Sequence, residues 1–212
     1  MVCPGVCNTS IETVIVDTRP AALFTTGFVP GSIFIGLEGR FAEWAGNVLS
    51  FDKTVLLVTE EGKEEETVVR LARVGFSKFG GYLKGGFEAW QKAGEAIDII
   101  IEIEADELAM DIPFDDKLLV IDVRRETEYA EGHIKDAVNL PLEDISDIVK
   151  FEATYSDEHN LYVHCNGGYR SVIAVSIAKQ QGIHNIRNIT GGWQKIKEVD
   201  KIKAVKDASV LN

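Results

Sequence analysis

Two kinds of apolar pattern alternate along this chain. Residues 14–17 and 118–122 are continuous, largely β-branched runs that each end in an acid. A run that is apolar at successive positions predicts a strand covered on both faces, as in a parallel sheet. Between such runs lie segments of helical period. Residues 64–74 are apolar at 68, 69, 71, 72 and 74, and residues 171–179 place Val172, Ile173, Val175, Ser176 and Ile177 in a similar way. Each helical segment follows a strand run and a short loop, the order of an α/β domain built on a parallel sheet. Ligands of such domains sit beyond the carboxyl ends of the strands, which directs attention to the loop after Tyr162-Val163-His164. Two further patterns carry expectations: Ile97-Asp98-Ile99-Ile100-Ile101 reads as a buried strand, and Ile196, Val199, Ile202 and Val205 read as a closing amphipathic helix over 194–205.

The pattern occurs twice, at an offset of 105 residues. Val14-Ile15-Val16-Asp17-Thr18-Arg19 matches Leu119-Val120-Ile121-Asp122-Val123-Arg124, and Gly27 to Ile33 matches Gly132 to Val138. Val58 falls opposite Val163, and after a slip of a residue Gly85-Gly86-Phe87 matches Gly191-Gly192-Trp193. This predicts two domains of five parallel strands each, at 1–95 and 98–200, with 201–212 as a C-terminal helix or tail. The second copy has a strand and helix start, 101–108, ahead of its Asp run. The first has only a short lead, so either that element is missing or the chain is part of a larger protein.

Composition narrows the partners. The formal net charge is -12, which repels phosphate backbones and anionic lipid heads and argues against nucleic acid and membrane. No apolar run approaches the ~20 residues of a membrane helix, and no secretory signal is visible. The cysteines are Cys3, Cys7 and Cys165; so odd and sparse a set predicts a reducing, cytoplasmic setting, not a disulfide framework. Cys3 and Cys7 have no companion Cys or His pair, so neither metal nor cofactor is expected.

The candidate chemistry lies at His164-Cys165-Asn166-Gly167-Gly168-Tyr169-Arg170-Ser171, between strand and helix. A thiol is ordinarily protonated at neutral pH, with a pKa of ~8.5. At a helix N-terminus, unpaired N–H groups and aligned peptide dipoles favour the thiolate, the nucleophilic form. Two successive glycines can take positive φ and curl the amides into an anion-binding nest, and Arg170 would set a permanent charge beside the anion. Such a cup suits a nucleophilic sulfur, or a stored persulfide.

These features together resemble the rhodanese family of sulfurtransferases. The matching pieces are Asp122-Val123-Arg124, Glu128-Tyr129, Gly132-His133-Ile134, Ala137, Asn139, Pro141, the loop Cys165–Arg170 and Gly191-Gly192-Trp193. The resemblance implies that Cys165 takes sulfur from thiosulfate or glutathione persulfide as a persulfide and passes it to a thiol or cyanide. It gives Asn166, Gly167, Gly168, Tyr169, Arg170 and Ser171 the substrate cradle, and it makes Asp122 and Arg124 supporting residues. Read from the residues alone, that pair is a salt bridge holding a strand end, and His133 is a turn or core residue. A phosphatase and arsenate-reductase branch has a loop one residue longer, so the four residues between Cys165 and Arg170 disfavour that chemistry. The first copy also resembles a rhodanese, but the offset puts Glu60 opposite Cys165 and Glu65 opposite Arg170. It is expected to be inactive, serving as scaffold, cover or surface for a protein partner. The pair is similar to the tail of bacterial metallo-β-lactamase-fold proteins with two rhodanese repeats, supported by 39–44. This offers the alternative of a non-catalytic sulfur-carrier or accessory module. With no His-x-His-x-Asp-His run in the chain, no metal or dioxygenase activity is implied.

Overall fold

The run that opens the first repeat forms a parallel strand, as its lack of alternation requires. In the computed structural model, which describes residues 12–207, β1 (Thr13–Asp17) is buried from Val14 to Asp17 and is paired on both edges. The chain divides into two compact units between Ile99 and Ile100.

In the first unit β1 is followed by α1 (Ala21–Thr26), β2 (Ser32–Phe34), α2 (Phe41–Val48), β3 (Thr54–Val58), α3 (Glu64–Arg73), β4 (Phe79–Tyr82) and α4 (Gly86–Lys92). The sheet runs β2-β1-β3-β4, parallel throughout. It therefore has four strands among the described residues, where five were expected. On one face Phe24 stacks on Phe28 at 4.2 Å and meets Phe34 at 5.1 Å, all three fully buried. Burial of each such side chain contributes ~1.5–3 kcal/mol.

The second unit runs β5 (Ile101–Ile103), α5 (Ala105–Asp111), β6 (Leu118–Asp122), α6 (Glu126–Ala130), β7 (His133–Ile134), β8 (Val138–Asn139), α7 (Ile148–Glu152), β9 (Asn160–His164), α8 (Tyr169–Gln180), β10 (Ile186–Ile189), α9 (Gly192–Ile196) and β11 (Ala204–Val205). Its parallel sheet has five strands, ordered β5-β10-β9-β6-β8. The central strands β6 and β9 pair from Leu118↔Asn160 to Asp122↔His164, so both end at the same edge. Whatever follows Asp122 and His164 is thereby gathered at one place.

Two expectations fail here. The strand read over 97–101 begins only at Ile101, and Ile97, Ile99 and Ile101 are each 47% exposed while Ile100 is buried. Residues 97–100 precede the sheet and β5 is its edge strand, so the apolar run covers a connecting segment and a strand start instead of a strand covered on both faces. The closing helix read over 194–205 stops at Ile196. Beyond it the chain advances in successive three-residue turns, Val199 N–H to the Ile196 carbonyl and Ile202 N–H to the Val199 carbonyl, and then pairs β11 antiparallel with β7. The period of three that looked helical is the period of those turns, which bring Ile196 and Ile202 into the core beside Leu108 and Ile189.

Candidate active site

Each Asp run ends in a clamp. The Arg124 guanidinium is clasped by Asp122, with Nε 3.0 Å and 2.9 Å from the two carboxylate oxygens and Nη2 2.6 Å from Oδ2. Nη2 also donates to the Gly132 carbonyl at 2.7 Å, and the guanidinium lies 4.8 Å from the centre of the Trp193 ring. Asn139 ties the same strand end by donating to the carbonyls of Asp122 and Arg124. In the first unit Arg19 binds Asp17 and the Gly27 carbonyl in the same way, and sits 4.2 Å from the Phe87 ring. A clamp built equally where the loop carries a thiol and where it does not is an architectural device. His133, whose Nδ1 meets the Tyr129 carbonyl and whose ring stacks on Tyr129 at 3.7 Å, belongs to the turn beside it.

The loop begins where β9 ends. Gly168, at φ 97, caps α8, and its N–H donates to the Cys165 sulfur at 3.1 Å. The Ser171 hydroxyl lies 3.7 Å from the same sulfur and 2.9 Å from the Gly168 carbonyl. Cys165 is only 1% exposed, and Gly167, two residues on, faces solvent. Asn166, Tyr169 and Arg170 are half-buried around it. The nest expected from two curled glycines uses one: Gly168 takes positive φ, and Gly167 does not.

The loop is gripped from outside by the Gly191-Gly192-Trp193 turn. The Trp193 N–H donates to the Cys165 carbonyl at 2.7 Å and the Gln194 N–H to the Asn166 carbonyl at 3.0 Å. Gly191 and Gly192 have φ 70 and 55, and a Cβ on Gly192 would overlap the Cys165 carbonyl oxygen and stand 2.9 Å from its carbon. Gly192→Ala is therefore expected to lose at least ~2 kcal/mol of stability, from the left-handed backbone and the clash together. Gly167→Ala, whose Cβ meets nothing within 4 Å, should keep the parent unfolding midpoint. Denaturant unfolding of the two variants, with the rate of Cys165 alkylation, checks this contrast.

Charge around the loop differs from the sequence reading. Arg170 turns both terminal nitrogens to Glu128, each 2.7 Å from a carboxylate oxygen. This pairing holds the Glu128 carboxyl below its ordinary range and raises Arg170, with a smaller electrostatic contribution from Cys165. Arg170 thus lies in the field of the sulfur but is committed to a carboxylate. In the sequence Glu128 is part of the family motif only; 42 residues separate it from its partner, and no spacing rule connects them. His164, fully buried, is pushed down by burial, with Asp122 partly opposing. Its Nδ1 is 3.2 Å from the Cys165 carbonyl, and its Nε2, without a hydrogen-bond partner among the described residues, is 3.7 Å from Asp122 Oδ2. A proton on Nδ1 satisfies the carbonyl and leaves the neutral ring beneath the loop.

In the first unit the structure shifts the correspondence by one residue. Val58 pairs with Asp17 as His164 pairs with Asp122, and the Thr18 and Val123 N–H groups donate to the Val58 and His164 carbonyls at 2.9 Å each. A Cβ on Gly86 would face the Thr59 carbonyl as one on Gly192 would face that of Cys165. Thr59, buried at 4% exposure, occupies the place of Cys165; Glu60 does not. The segment that follows, 60–63, is one residue longer than 166–168 and leads into α3 with a Lys63–Glu66 ion pair. It holds no thiol. Cys3 and Cys7 lie outside the described residues. Among the described residues no cluster of His, Cys, Asp and Glu could hold a metal ion, and no helix is long and apolar enough to cross a membrane.

Comparison with known proteins agrees with this architecture. The family model for the rhodanese-like domain matches at residues 8–93 and again at 104–199. A putative mitochondrial thiosulfate sulfurtransferase of Schizosaccharomyces pombe is 36% identical over 100 residues, covering 42% of this chain and 69% of that protein. A sulfurtransferase of Allochromatium vinosum is 30% identical over 98 residues, 44% of this chain and 85% of its own length. A putative sulfur carrier protein of Bacillus subtilis is 30% identical over 111 residues, 52% of this chain and 56% of that protein.

Proposed function

The chain belongs to the rhodanese-like domain family in both of its halves, and from that membership we propose that it is a sulfurtransferase whose second unit carries sulfane sulfur as a persulfide on Cys165. The observation that carries the reading is the Gly168 N–H aimed at the Cys165 sulfur from a loop of four residues closed by Arg170. In the first half-reaction the Cys165 thiolate attacks the outer sulfur of the donor. The new S–S bond forms as the donor's S–S bond breaks, and sulfite (from thiosulfate) or a thiolate (from a persulfide) leaves with the bonding pair. In the second, an acceptor thiolate or cyanide attacks the terminal sulfur and Cys165 departs as thiolate. No electrons are gained or lost overall. The Gly168 amide and the Ser171 hydroxyl are placed to donate to the charge that the cysteine sulfur bears at the start and end of this cycle. A reducing compartment such as the cytoplasm, with its small-thiol acceptors, suits such a cycle.

The measurement that tests this is intact mass after incubation with thiosulfate or glutathione persulfide. The expected result is a gain of one sulfur atom, located by peptide mapping at Cys165 and not at Cys3 or Cys7, and reversed by cyanide or glutathione. No gain from either donor overturns the reading.

A second reading draws on Thr59. With one of its two loops unable to form a persulfide, the chain also suits a sulfur-carrier or accessory role, in which the first unit binds a protein partner. Saturable partner binding that survives deletion of Cys165 chemistry, together with negligible turnover on small acceptors, would favour it.

A further inference from the structure

Arg170 is the one cation in the segment 165–171, and the structure shows what occupies it. Glu128 is not a chance neighbour. It stands at the third position of α6, where its Oε2 accepts from the Arg125 N–H at 3.2 Å while also taking Arg170 Nη1 at 2.7 Å. The helix start and the arginine therefore hold the same carboxylate. With both terminal nitrogens engaged, the end-on edge of the guanidinium is closed to a second anion, and its charge is largely offset at close range. The side chains are 16% and 33% exposed, so solvent screens this pair only in part.

Building on the sulfurtransferase reading, we propose that Glu128 is a specificity-determining residue: by occupying Arg170 it makes the loop discriminate against doubly charged thiosulfate and select sulfur offered as the persulfide of a small thiol. A loop holding a cysteine thiolate, one arginine and one glutamate carries a net negative charge. Thiosulfate brings two further charges to it. A thiol persulfide brings at most one on its sulfane group and none there when protonated; protonated glutathione persulfide then keeps a single net negative charge from its two carboxylates and ammonium, one fewer than thiosulfate. In the favoured reaction the Cys165 thiolate bonds to the outer sulfur of the protonated persulfide, the donor's S–S bond breaks, and the small thiol leaves as thiolate with the electron pair. The proton stays on the transferred sulfur until the loop-bound persulfide ionises.

The experiment compares second-order rates of Cys165 sulfur loading from thiosulfate and from glutathione persulfide, followed by intact mass, in the parent, Glu128→Gln and Glu128→Asp chains. The parent should load faster from the persulfide. Glu128→Gln, which can still cap α6 and hydrogen-bond Arg170, should move the donor ratio toward thiosulfate by about tenfold, the screened effect of one charge on donors that differ by one. Glu128→Asp keeps the charge and should keep the parent ratio even where both rates fall from looser geometry. Equal change for both donors in Glu128→Gln, or a parent that prefers thiosulfate, overturns the selection by Glu128 and leaves the sulfurtransferase reading standing. Absence of loading from either donor in the parent overturns both.

Discussion

Cys165→Ser is expected to abolish sulfur loading, lowering its rate roughly 10³-fold or more, while leaving the unfolding midpoint of the second unit nearly unchanged. A serine hydroxyl at neutral pH is un-ionised and a poor nucleophile toward sulfur unless a general base activates it. Among the described residues the nearest candidates are committed elsewhere: His164 turns its Nδ1 to the backbone carbonyl of Cys165, and Glu128 is engaged by Arg170. The substitution removes the chemistry without disturbing the frame. The Gly168 N–H that meets the sulfur can meet an oxygen, as can the Ser171 hydroxyl. The stability change should stay within ~1 kcal/mol. Mass spectrometry with thiosulfate and glutathione persulfide, beside a chemical denaturation curve, checks both halves. Loading that persists on the variant at the parent rate would move the nucleophile to Cys3 or Cys7.

Arg124→Met should have the largest effect on stability, a loss of about 3–5 kcal/mol from the second unit, because it leaves the Asp122 carboxylate buried without its partner. Asp122 is 0% exposed and Arg124 3%. The loss also frees the Gly132 carbonyl and removes the cation from the Trp193 ring. The control is Asp122→Asn/Arg124→Met, in which no charge is left uncompensated. It should be more stable than the single variant, though less stable than the parent. If the two variants unfold at the same denaturant concentration, the stranded charge is not what the clamp prevents. The equivalent Arg19→Met should weaken the first unit by a similar amount, since its clamp has the same bonds.

Much of this was legible in the residues. Continuous, β-branched apolar runs ending in Asp pointed to central parallel strands, and the thiol after His164 fell where a parallel sheet exposes its carboxyl ends. The repeat followed from motif order. What was not legible turned on single-residue register or on contacts distant in sequence. Val58 and Val163 look equivalent as apolar positions, but the pairing of Asp17 with Val58 and of Asp122 with His164 puts Thr59, not Glu60, under the place of the thiol. An apolar run specifies a strand without specifying which of its last residues turns out of the sheet. Gly167 and Gly168 are identical letters, and only the start of α8 decides which takes the left-handed backbone. Arg170 stands in the first turn of α8, and its partner comes from another helix, α6. At the C-terminal end, a spacing of three was compatible with one helical face or with successive turns, and the pairing of β11 with β7 chose the turns.

The threonine at the end of β3 has an accounting consequence. Two homologous loops occur in one polypeptide, but only the second has a thiol. On the sulfurtransferase reading proposed above, the two loops of a saturated chain would together store a single equivalent, and each delivery would empty them. Transfer from the loops would then proceed as discrete, one-for-one exchanges with the acceptor, without a reserve passing from one repeat to the other.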